Sequence, residues 1–147
     1  MTPFPAVPLA EAIQAASSDR ETRRPVVMIV DDEKVIADTL TAIFNQHGYA
    51  AIACYDAQSA LDLAAVIPPN LVITEVMMPG MNGIDLAIAL EALLPACKIL
   101  LFSGQASTID LLAAARASGH DFTTLSKPVH PTEMLRRVSE CLQSASA

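Results

Sequence analysis

Four short polar stretches interrupt an otherwise apolar chain: Asp31-Asp32-Glu33, Glu75, Ser103-Gly104 and Ser126-Lys127-Pro128. Brought to one place, they would gather several carboxylates, a hydroxyl and a lysine. Clustered carboxylate oxygens are hard ligands that suit Mg²⁺, which takes one or two of them together with waters and phosphate. Without a cation, carboxylates that close would raise one another's pKa. The lysine and the serine could hold the oxygens of a phosphoryl group. Each stretch alone has a plainer role. Asp31 and Asp32 could cap a helix, Ser103 could bond to nearby backbone, and Lys127 could be a solvated charge. The chemical reading therefore depends on whether the fold puts them at one edge.

The surrounding pattern supplies that edge. Val26–Val30 is a short apolar run of the kind that forms a strand buried on both faces. Helical spacing follows at Ile36, Leu40, Ile43 and Phe44, with Gly48 placed to end the helix. Tyr49–Cys54 reads as a second strand, and Asp56 as the N-cap of a helix over Ala57–Val66 that Pro68-Pro69 stops. Leu71–Thr74 reads as the third strand and Ile84–Leu94 as the third helix. Ile99–Phe102 is the fourth strand, and the fourth helix covers Thr108–Ser118 and closes at Gly119. Phe122–Leu125 is the fifth strand. Pro131 opens a last helix through Leu142, whose stripe is Met134, Leu135, Val138, Cys141 and Leu142. Five strand–helix repeats require right-handed crossovers, hence a mainly parallel sheet with helices on both faces. In such a sheet the ligand site lies beyond the carboxyl ends of the strands, where the four polar stretches fall.

In these positions, from Val26 to Leu142, the chain resembles the receiver domain of bacterial two-component response regulators. Asp31-Asp32 after the first strand, Met78-Pro79-Gly80-Met81-Asn82-Gly83 after the third, Ser103-Gly104 and Lys127-Pro128 carry the resemblance. It implies an α/β fold, doubly wound and flavodoxin-like, with five parallel strands in the order 2-1-3-4-5. It implies Mg²⁺ held by Asp31 and Asp32, the acceptor carboxylate at position 75 and the backbone carbonyl of Met77. Ser103 would be the switch hydroxyl that bonds the phosphoryl group, with Gly104 leaving room for it. Lys127 would pair with the acceptor and its phosphate, before a Lys127-Pro128 bond that is often cis. The expected partners are a sensor histidine kinase or phosphotransfer protein, and a downstream protein. A homodimer is a further option. The outer face of the fourth helix either packs plainly or, with the fifth strand and helix, meets that partner.

Two residues depart from the family pattern. Glu75 stands where the phospho-acceptor aspartate belongs, and the extra methylene moves the carboxylate outward by roughly 1 Å, a displacement that can cost about 10²-fold in rate. Three readings follow: a natural phosphorylation-independent receiver, an engineered mimic of the phosphorylated state, or a slow acceptor. Mg²⁺ binding through Asp31 and Asp32 is expected to survive, with Glu75 as the residue that would weaken it. Thr124 occupies the place where many receivers carry an aromatic residue that swings inward on activation, with Phe122 two residues earlier as a substitute. The main rival reading is an interaction module (a pseudo-receiver) without phosphate chemistry. A flavin-type cofactor site is disfavoured, because Asp31-Asp32-Glu33 would repel a phosphate. An aspartate-nucleophile phosphohydrolase is disfavoured by Glu33, which stands where a second aspartate is usual.

Composition narrows the rest. With 52% apolar and 17% charged residues the chain can bury a core, and a net charge of −7 argues against nucleic-acid binding. No apolar run reaches the ~18–20 residues of a membrane span, and the N-terminus makes a poor signal peptide, so the expected location is cytoplasmic. Cys54, Cys97 and Cys141 fall in apolar stretches, without metal-type spacing, and read as reduced core residues. His47, His120 and His130 are not clustered with cysteine, which argues against zinc. Residues 1–24 read as a flexible extension in which Leu9 to Ala16 could form a short helix, residues 25–143 as the domain, and 144–147 as a short tail. On that division no output domain is expected within the sequence.

Overall fold

The computed structural model describes residues 24–104 and 108–144. Strands β1 (Val26–Val30), β2 (Ala50–Cys54), β3 (Leu71–Glu75), β4 (Lys98–Ser103) and β5 (Thr123–Ser126) alternate with helices. These are α1 (Lys34–Asn45), α2 (Ala57–Val66), α3 (Gly83–Leu93), α4 (Thr108–Ala117) and α5 (Pro131–Ser144). All strand pairs are parallel and the sheet order is β2-β1-β3-β4-β5, as the resemblance implied. β1 and β3 lie inside the sheet and are buried at every position, which explains their unbroken apolar runs. β2 and β5 are edge strands and only partly covered.

Alternate strand residues feed separate layers. Val27, Ile29, Ile73 and Phe102 pack beneath α1 and α5 with Leu40, Phe44, Met134 and Val138. Met28, Val30 and Val72 pack on the other face with Ala60 and Ala64 of α2 and Leu86 and Leu90 of α3. A third cluster joins Leu101 to Val76, Ile84, Ala87 and Ala115 of α4. Asp56 caps α2 as the sequence predicts, its carboxylate accepting from the Ser59 amide at 2.7 Å. The Asn82 side chain caps α3 in the same way, through the Asp85 amide at 2.9 Å. The chain turns at Gly48 and Gly119 with positive φ.

Several element ends differ from expectation by a residue, and the reasons are local. Tyr49 stands outside β2: its amide donates to the Phe44 carbonyl at 3.3 Å and its ring packs on Phe44, centroids 5.4 Å apart. Phe122 stands outside β5, stacked on His120 and packed against the α3–α4 cluster. Glu75 belongs to β3, in register with Phe102. The possible helix over Leu9 to Ala16 lies outside the described residues, as do residues 145–147. Arg24, placed with the extension on sequence grounds, hydrogen-bonds to the carbonyls of Asn45 and Tyr49.

The loop after β3 is held against the sheet by Gly83, whose amide donates to the Val76 carbonyl at 2.8 Å. A Cβ on Gly83 would stand 2.0 Å from the carbonyl oxygen of Glu75 and 3.0 Å from the Cα of Val76, both of them backbone atoms. Only glycine lets α3 start this close to the strand end. Gly83→Ala is therefore expected to cost about 3 kcal/mol, at the upper end of overpacking penalties, read from the urea unfolding midpoint. Removing the neighbouring cap with Asn82→Ala should cost only about 1 kcal/mol. A loss at Gly83 no larger than at Asn82 would show that the loop yields freely.

Candidate functional site

Parallel strands end at one edge, so the residues following β1, β3, β4 and β5 meet there. Asp31 continues β1 by donating its amide to the Cys54 carbonyl at 3.1 Å. Its side chain is wholly buried (0% exposed). Oδ1 accepts from the Glu33 amide at 2.9 Å, whereas Oδ2 is buried with no hydrogen-bond partner among the described residues. Glu75, at the end of β3, is 6% exposed. Its Oε1 accepts from Lys127 Nζ at 3.2 Å, and its Oε2 is likewise buried and unpartnered.

Lys127 reaches this point from the far side of the sheet. Its amide donates to the Ser103 carbonyl at 3.2 Å, extending the β4–β5 pairing by one residue. Its ammonium lies 4.8 Å from the centroid of the Phe102 ring, a cation–π contact that holds the side chain across β4 toward β3. Gly104 makes way for it, since a Cβ there would meet Lys127 Cβ at 3.2 Å. The Lys127-Pro128 peptide bond is cis. Ser103 Oγ pairs with Thr108 Oγ1 at 2.8 Å, at the start of α4.

The electrostatics follow from burial. Desolvation raises the carboxyl pKa of Glu75 and outweighs the opposing pull of the Lys127 hydrogen bond and charge, while Asp31 pushes the same way as desolvation. Asp31 is raised as well, first by desolvation, against the Glu33 amide and the Lys127 charge. One ammonium thus serves two buried carboxylates, with Asp32 exposed nearby and Met77 half-buried in the loop after β3. Among the described residues no three Asp, Glu, His or Cys side chains form a ready-made metal cage. The donor set still fits a hard cation: two buried carboxylate oxygens lack partners, and Mg²⁺ completes its shell with carbonyls and water.

The structure thus brings Asp31, Glu75, Lys127 and Ser103 to one edge, and leaves the Asp32 side chain at the surface. Reading the sequence missed Thr108 and Phe102. A threonine opening a helix and an apolar strand residue are too common to stand out; only the register places them beside Ser103 and Lys127. Thr124 is exposed, and a cavity of about 350 Å³ opens between α4 and the ends of β4 and β5, with Thr124, Thr108, Leu112 and Lys127 in its walls. Phe122 does not line it. The histidines have separate partners: His47 bonds to the Ile43 carbonyl, His120 to Glu91, and His130 accepts from the Thr132 amide at the start of α5. Burial pushes the Cys54 thiol up to about 11 and the Cys97 thiol up to about 12, so both stay protonated at neutral pH.

Comparison with known proteins agrees with this geometry. The model of the response regulator receiver domain family matches residues 27–139, and the chain belongs to that family. It is 30% identical over 118 residues to the DNA-binding response regulator MtrA of Mycolicibacterium smegmatis, covering 80% of this chain and 50% of that protein. It is 31% identical over 121 residues to the transcriptional regulatory protein CreB of Escherichia coli, covering 82% and 52%. The chain thus spans about half the length of the curated relatives it matches. Among solved structures, the signal receiver domain of an HD domain-containing protein from Pseudomonas fluorescens superposes with a TM-score of 0.76 at 30% identity, covering 85% of this chain and 91% of that one. A CheY-like receiver domain protein from Methanospirillum hungatei gives the same TM-score at 24% identity, over 84% and 97%, a likeness of fold. No helix among the described residues is long and apolar enough to cross a membrane.

The unpartnered Asp31 oxygen sets a stability test. A carboxyl whose pKa is raised by folding binds its proton more tightly in the folded chain, so its contribution to stability falls as pH rises through that interval. Asp31→Asn is expected to stabilise the fold at pH 7 by about 1 kcal/mol, because it removes the desolvated charge while an uncharged polar group stays in its place. The gain should shrink in acid, where the native carboxyl is already protonated. Urea unfolding at a series of pH values measures both; a destabilised variant would show that the charge is compensated.

Proposed function

We propose that this chain works as a receiver in a two-component phosphorelay, with its phosphoryl chemistry impaired or imitated by Glu75. The observation that carries this reading is the 3.2 Å contact between Glu75 Oε1 and Lys127 Nζ inside a receiver pocket. The longer side chain moves negative charge toward the volume a phosphoryl group would fill. Lys127 pairs with it as it would with the usual acceptor, so the difference lies in the reach of the glutamate side chain. A misplacement of roughly 1 Å is enough to slow transfer by about 10²-fold. In this reading Asp31, Asp32, Glu75 and the Met77 carbonyl would hold Mg²⁺, whose charge offsets that of phosphoryl oxygens. Ser103 and Lys127 would face those oxygens.

The upstream partner in this reading is a sensor histidine kinase or phosphotransfer protein. Signals leave through a protein partner, or a second copy of the chain, on the face formed by α4, β5 and α5, in the cytoplasm. The exposure of Ile109 on α4 and of Thr123 and Thr124 on β5 supports use of that face. The net charge of −7 speaks against nucleic acid as a direct ligand of this domain.

Intact-mass spectrometry after incubation with acetyl phosphate and Mg²⁺ tests the reading, with Glu75→Asp run in parallel. Uptake would form a bond from carboxylate oxygen to phosphorus and break the phosphorus–oxygen bond to acetate, which leaves with the electron pair. The expected result is uptake by Glu75→Asp and uptake by the native chain at least about 10²-fold slower. Comparable uptake by both would overturn the role given to Glu75. Uptake by neither would favour an interaction module of the same fold.

A further inference from the structure

Helix α4 is seated by few residues. Among its described positions only Thr108 and Ala115 are buried. Thr108 is its first residue and 5% exposed, while Ile109 beside it is 68% exposed. The cavity of about 350 Å³ borders this first turn on the side of β4 and β5. The start of the helix is therefore tied to the sheet by a polar contact, Thr108 Oγ1 to Ser103 Oγ at 2.8 Å. Thr124 leaves the adjoining space open, where an aromatic side chain at that position would fill it.

We propose that Thr108 is a positioning residue: it holds the Ser103 hydroxyl against α4, so that the hydroxyl cannot turn away without releasing the first turn of the helix. This rests on the reading that Ser103 serves the acceptor site. Turning Ser103 toward the carboxylate edge breaks the bond to Thr108 and leaves a buried hydroxyl without that partner. Buried polar groups do not stay unpaired at low cost. The first turn must then shift, and the cavity gives it room. A charge placed at the strand ends is in this way converted into a displacement of α4 without a moving aromatic ring.

The test uses the full chain and hydrogen exchange read by mass spectrometry. Thr108→Val removes the hydroxyl at nearly constant volume, Thr108→Ser keeps it, and Ser103→Ala removes the other partner. Thr108→Val and Ser103→Ala should each speed exchange of the α4 amides from Leu112 onward by roughly fivefold, the worth of one neutral hydrogen bond. The amides of β1 and β3 should not change. The double variant should be no faster than Ser103→Ala alone, in which the bond to Thr108 is already lost, and Thr108→Ser should behave as native. Exchange that is unchanged in α4, or accelerated equally throughout the domain, overturns the proposal. So does a Thr108→Ser variant that fails to restore it. In the Glu75→Asp background, Thr108→Val should also raise the rate of phosphoryl uptake from acetyl phosphate by a similar factor, and Thr108→Ser should not. If Glu75→Asp alone takes up nothing, the receiver reading fails, and the exchange pattern still decides the role of Thr108.

Discussion

Two buried carboxylates share one ammonium at the carboxyl edge of the sheet, and the arrangement of the strand ends follows from that constraint. Asp31 and Glu75 stand at the ends of β1 and β3, two inner strands, where both are buried. Lys127 can reach them only by crossing β4, which requires small residues in its path and a surface to rest on. Gly104 and the Phe102 ring meet those needs. Gly83 meets a third, by letting α3 begin against the carbonyl of Glu75. Even so, one carboxylate oxygen on each acid is left without a partner. Such a site weakens the fold, and the apolar layers on the two faces of the sheet offset that cost.

Most of the fold could be read from the sequence because its signals are local. The continuous apolar runs of β1 and β3, the Asp56 cap and the Gly119 turn each act within a few residues. The carboxyl-edge rule then places Asp31, Glu75, Ser103 and Lys127 together with no contact information. What escaped depends on contacts between distant segments. Tyr49 and Phe122 look like strand residues but leave their strands to pack on Phe44 and His120. Nothing near Thr108 in the chain distinguishes it from any helix-opening threonine. Its significance comes from a bond to the end of a neighbouring strand. The burial of Asp31 beside an exposed Asp32 was equally hidden, since it depends on which face of the loop after β1 turns inward.

The pocket and α4 are linked by small polar groups. Hydroxyls from Ser103, Thr108 and Thr124 stand around the cavity. Hydroxyl contacts are weak and directional, so a change of charge nearby can redirect them. Glutamate at position 75 places a buried carboxyl group at the end of β3 and keeps Lys127 beside it. In the proposed reading, the same pair makes this edge poorly suited to a second anion.

The most direct test of that claim is ¹⁹F NMR of the native chain and Glu75→Asp titrated with beryllofluoride in the presence of Mg²⁺, which probes the pocket without covalent chemistry. The prediction is a set of bound fluoride resonances from the Glu75→Asp protein and none from the native one. Equal binding by the native chain would contradict it, since the Glu75 carboxylate and Lys127 would then leave the anion site open.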